Sequence, residues 1–89
     1  MQSKWENKVI LVTGSCRGLG LEIAKQLLAL NALVVFHSKY TSLPNDPSIN
    51  QALASNRAIY LKADLRNASE VEQLIAAAVD KFERLRRGH

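Results

Sequence analysis

The sequence predicts an α/β protein: half of a doubly wound parallel sheet, with three strands in the order 3-2-1 and three helices. Three observations predict it. Short apolar runs occur three times along the chain, a stretch of helical period follows each, and a glycine-bearing turn joins the first run to its helix. Parallel strands joined through helices cross over with the right hand, which leaves few topologies to consider.

The first strand is Val9-Ile10-Leu11-Val12, a continuous apolar run of the kind covered on both faces in a parallel sheet. Immediately after Gly18 a helical period begins with Leu19, Ile23, Ala24, Leu27, Leu28 and Leu30. Asn31 stands where that helix should end, because asparagine tolerates the left-handed conformation found there. Leu33-Val34-Val35-Phe36 is the second strand, and His37, Ser38, Lys39 and Tyr40 read as its polar exit. Thr41 to Asp46 reads as a loop, with Pro44 and Asn45 inside it. Asp46 followed by Pro47 predicts an N-cap and first helical position, opening a short helix through Ile49, Ala52 and Leu53 that ends near Ser55 or Asn56. Ala58-Ile59-Tyr60-Leu61 is the third strand, closing at Lys62, Ala63 and Asp64. Asn67 and Glu70 stand at capping-box spacing before a long helix whose apolar stripe is Val71, Leu74, Ile75, Ala78, Phe82 and Leu85.

With 89 residues the chain forms one small domain over 1–89, ending in a basic tail at 84–89. A domain of this size buries only roughly 60–65% of its unfolded surface, so it folds with little margin. Hydrophobic residues at 47% and charged residues at 22% exclude global disorder. Cys16 is the single cysteine and has no internal disulfide partner. No apolar run approaches the ~20 residues needed to span a bilayer. Trp5, Glu6, Asn7 and Lys8 interrupt any basic-then-apolar leader, so the expectation is a cytoplasmic protein, with an organelle left open. The net charge of +4 raises nucleic-acid binding as a class. Arg84, Arg86 and Arg87 carry much of it without aromatic interleaving or metal-ligand spacing. A solvated helix end, with cations near the negative pole of the helix dipole, explains them more simply.

The chemistry lies in Thr13-Gly14-Ser15-Cys16-Arg17-Gly18-Leu19-Gly20, between first strand and first helix. Three glycines answer three steric demands: a tight turn off the strand, backbone approach to a pyrophosphate, and close packing of the helix. The helix N-terminus then presents free N–H groups and partial positive charge to that pyrophosphate. The spacing is Gly-x3-Gly-x-Gly, distinct from Gly-x-Gly-x-x-Gly. A thiol at Cys16, near a helix start, is expected to have its pKa lowered.

Residues 13–20 resemble the T-G-x-x-x-G-x-G signature of the classical short-chain dehydrogenase/reductase family, and the resemblance extends over roughly residues 5–83. A second match is Asp64-Leu65 at the end of the third strand, where the family's aspartate contacts the adenine ring; capping of the following turn is the other reading of Asp64. The resemblance implies half a Rossmann fold and dinucleotide binding through Gly14, Ser15, Arg17, Gly18, Leu19, Gly20, Ser38, Lys39, Asp64 and Leu65. No acidic residue occurs between Ala24 and Asn45, so the carboxylate that binds the ribose 2′-OH of NAD is missing. Arg17 and Lys39 instead match the family's NADP pattern, two cations able to make charge-assisted hydrogen bonds to a 2′-phosphate. NADP is therefore expected over NAD.

In the family, a Tyr-x-x-x-Lys pair, a serine and an asparagine carry the reaction, the lysine lowering the tyrosine pKa. Here Tyr40 is followed four positions on by Pro44 and Tyr60 by Asp64, so neither fits, and the fourth strand's Asn-Asn-Ala-Gly is absent. The expectation is a nucleotide-binding N-terminal portion of an oxidoreductase, without catalytic residues and inactive alone. His37 and His89 are lone histidines read as surface or packing residues. Without a fourth strand the first presents an unpaired edge, which predicts a homodimer, aggregation, or a non-enzymatic module pairing with a full-length relative.

Overall fold

The structure, a computed structural model, describes residues 4–39 and 42–86. Its elements are β1 (Val9–Val12), α1 (Gly18–Ala29), β2 (Leu33–Ser38), α2 (Pro47–Ala54), β3 (Ala58–Lys62) and α3 (Ala68–Arg86). The strands form one parallel sheet in the order β1-β2-β3, the topology expected from sequence. The central strand is two residues longer than its apolar run: His37 pairs with Leu61 and Ser38 with Lys62. Polar side chains can continue a buried strand when each finds a partner, and these two do.

Alternation along β2 divides the core into two layers. Val34 and Phe36 face α1 and α2, packing with Ala24, Leu28, Ile49, Ala52 and Ala58. Val35 faces α3, packing with Ile59, Ala78 and Phe82. Val34, Val35 and Phe36 are essentially inaccessible, which is why their run carries no polar residue.

Helix ends are set as their sequences direct. Asn31 adopts φ +66°; its amide donates to Leu28 O and that of Ala32 to Leu27 O, closing α1 with a Schellman pair. Asn56, at φ +63°, repeats the arrangement after α2. Arg57 adds a side-chain donor to the end of α1, its Nη2 lying 2.9 Å from Leu28 O. Asp46 caps α2 by accepting from the amides of Ser48 and Ile49, and pairs with Lys25 of α1 at 2.9 Å. The capping box of α3 forms only in part. Asn67 accepts from the amides of Ser69 and Glu70, but the Glu70 carboxylate reaches past it to the amide of Asp64.

The apolar stripes are wider than a three-stranded sheet can cover. Leu19 is 76% exposed and Ile75 51%, and Ile23, Leu30 and Val79 are exposed as well, whereas Ala24, Leu28, Leu74, Ala78 and Phe82 are buried. Tyr40, Thr41, the side chains of Arg84, Leu85 and Arg86, and all of Arg87, Gly88 and His89 lie outside the described residues.

Candidate functional site

The register of the sheet assembles the site. Val12 pairs with Phe36 and Ser38 with Lys62, so the turn after β1, the exit of β2 and the exit of β3 meet at the carboxyl edge of the sheet. Ligands of open α/β sheets bind at that edge.

In the turn, Gly14 (φ +58°) and Gly18 (φ +60°) occupy the left-handed region, and a Cβ on either would meet no atom within 4 Å. The space in front of both is open. Gly20 differs: its Cβ would stand 2.3 Å from the carbonyl oxygen of Gly14, so the first turn of α1 lies directly against the loop that leads into it.

The amides divide into two sets. Gly14 N–H donates to His37 Nδ1 (3.2 Å) and Ser15 N–H to His37 O (2.8 Å); the buried Ser15 hydroxyl accepts from His37 N–H at 2.8 Å. Both residues belong to the expected ligand set, yet their amides serve the turn itself. Leu21 is the first amide to enter the helical ladder, donating to Arg17 O, so those of Gly18, Leu19 and Gly20 precede it. Arg17, the N-cap, offers no side-chain acceptor, and the first turn contains no acidic residue. Three amides at the positive end of a helix dipole are thus left for an external anion.

The remaining site residues are distributed around this junction. Arg17 and Leu65 are exposed. Ser38 is buried inside β2 and hydrogen-bonded to the Cys16 thiol, not presented at a strand exit. Lys39 Nζ lies 3.3 Å from Asp64 Oδ2. Asp64 also accepts from the amide and guanidinium of Arg66, and these bonds, with Lys39, hold its carboxyl well below the usual carboxylate range. The turn-capping reading of Asp64 is therefore realised. Burial pushes the Cys16 thiol up, against a smaller opposing effect of its bond to Ser38; the lowering expected of a thiol near a helix start does not occur. His37 is the residue sequence reading missed. Its only signal was a polar residue at the end of an apolar run, since its ring partners are backbone groups over twenty residues away.

Residues 8–86 match the family model described as short chain dehydrogenase. The chain belongs to that family. It is 38% identical over 79 residues to a 3-oxoacyl-[acyl-carrier-protein] reductase of Synechocystis, covering 88% of this chain and 32% of that protein. A short chain dehydrogenase of Passalora fulva is 36% identical, with 86% and 29% covered. Among solved structures, an NADH-dependent reductase complexed with NAD superposes with a TM-score of 0.74 at 29% identity, covering 93% of this chain and 35% of that one. The 3-ketoacyl-(acyl-carrier-protein) reductase of Brucella melitensis complexed with NADH gives 0.70 at 26% identity, with 90% and 32% covered. The chain thus spans about a third of the length of these relatives.

Proposed function

We propose that this chain holds a nicotinamide dinucleotide by its pyrophosphate at the N-terminus of α1, as part of a short chain dehydrogenase that interconverts a carbonyl and an alcohol. The observation that carries it is the set of amides at Gly18, Leu19 and Gly20, beside open space and without a side-chain cap. The residues fit the cofactor: a β-carbon at Gly18 would point into the open space a diphosphate would occupy. When bound, the nicotinamide supplies or accepts the hydride. These 89 residues contain no Tyr-x-x-x-Lys, so the reaction is proposed for the complete protein and binding alone for this stretch.

Within that reading, NADP(H) is favoured over NAD(H). No carboxylate lies between Ala24 and Asn45 to repel a 2′-phosphate; Lys39 supplies a cation directly after β2, and Arg17 a second at the start of α1. Lys39 is paired with Asp64, but Asp64 keeps Arg66 if Lys39 turns to a phosphate. Asp64 would face the adenine, as its family counterpart does. Calorimetric titration is expected to show tighter binding of NADP⁺, by about tenfold, the worth of one charge-assisted hydrogen bond. The variant K39A is expected to remove that preference. An unchanged ratio would show that the 2′-phosphate is wrongly placed; no heat from either dinucleotide at millimolar ligand would remove the function.

A second reading rests on β1, which among the described residues pairs on one side only, and whose Val9 and Leu11 are 43% and 40% exposed. Such an edge suits an interaction module that pairs with a full-length relative. Co-purification with that relative, lost in a variant with lysine at Leu11, would favour it.

A further inference from the structure

We infer that His37 is a positioning residue for the dinucleotide site, and that only its neutral ring protonated at Nε2 holds the glycine turn ready for a pyrophosphate. The inference rests on the function proposed above. His37 is 3% exposed, in the middle strand, and all four of its polar atoms are engaged. Its backbone N–H donates to Ser15 Oγ (2.8 Å), and its carbonyl accepts from the amide of Ser15 (2.8 Å) and from its hydroxyl (3.3 Å). Its ring spans the two neighbouring segments, with Nδ1 3.2 Å from Gly14 N and Nε2 2.9 Å from Ala63 O.

The partners fix the tautomer. A backbone N–H can only donate, so Nδ1 must present its lone pair to Gly14; a carbonyl can only accept, so Nε2 must carry the proton. A second proton on Nδ1 would set one N–H against another inside a buried site, where an unsatisfied donor is strongly disfavoured. The effect reaches the ligand through two contacts. His37 fixes Gly14, and the Gly14 carbonyl lies against the Cα of Gly20, within the three-amide cradle. A shift of Gly14 therefore moves the first turn of α1.

The test is the NAD⁺ affinity of wild type, H37N and H37A. H37N places an amide oxygen about where Nδ1 stands, so it should bind nearly as wild type. H37A should bind about tenfold more weakly. An H37N affinity as weak as that of H37A, or an H37A affinity equal to wild type, would overturn the inference. If wild type binds no dinucleotide, the function fails, and His37 is then judged by nitrogen-15 NMR. The ring should carry its proton on Nε2, and the Gly14 amide should exchange faster in H37A than in H37N. A proton on Nδ1, or equal exchange, would refute it without any ligand.

Discussion

Replacing Gly20 by alanine tests the packing on which the site depends. The added methyl would stand 2.3 Å from the Gly14 oxygen, where ordinary contact begins near 3.4 Å, so backbone must yield by roughly 1 Å. Both partners are backbone, and neither can rotate away. Overpacking of this kind costs about 1–3 kcal/mol. Alanine recovers part of the ~1 kcal/mol by which it exceeds glycine as a helix former, a partial gain because Gly20 lies in the first turn. The net is a loss of roughly 1–2 kcal/mol, a fall in Tm of about 5–15 °C for a domain of this size. Thermal and urea melts followed by circular dichroism at the helix band measure it. G18A serves as comparison: it meets no atom, but forces alanine to φ +60°, a loss of about 1–2 kcal/mol by a different route. G20A should also weaken dinucleotide binding by displacing Gly14 from His37. A G20A chain as stable as wild type and binding equally well would refute the close-packing argument.

Three further outcomes follow from the same geometry. N31G should equal or slightly exceed wild type in stability, whereas N31A should lose about 1–2 kcal/mol in a urea melt, because Asn31 sits at φ +66°. Asp46 and Asp64 are held below the usual carboxylate range by Ser48 and Lys25, and by Arg66 and Lys39. The unfolded chain therefore binds more protons in acid; their stabilising effect is complete above about pH 4 and is lost below it, so D46N/D64N should flatten the decline of Tm there. Self-association through β1 should show as a dimer or larger species by sedimentation at tens of micromolar, and L11K should reduce it; a clean wild-type monomer would count against the open edge.

How much could be read from sequence depended on the reach of each interaction. Asn31, Asn56 and Asp46 act on backbone a few residues away, so their roles were legible. The glycine spacing likewise describes a local turn. The bracing of that turn was not legible, because His37 joins Gly14 and Ala63 across 23 and 26 residues and no sequence period records such a contact. Cys16 misled for a related reason: its position suggested the field of a helix start, but burial dominates. The apolar stripes of α1 and α3 are buried only in part: Leu19, Ile23 and Ile75 extend past what three strands cover. Periodicity reports an apolar face; it does not report how much sheet is available to bury it.

The most direct measurement is a nitrogen-15 correlation spectrum of the chain during titration with NADP⁺. The largest and saturable changes should fall on the amides of Gly18, Leu19 and Gly20, which stand ahead of the helical ladder. A spectrum that does not respond, or responds chiefly at the β1 edge, would contradict the assignment of this junction as the diphosphate site.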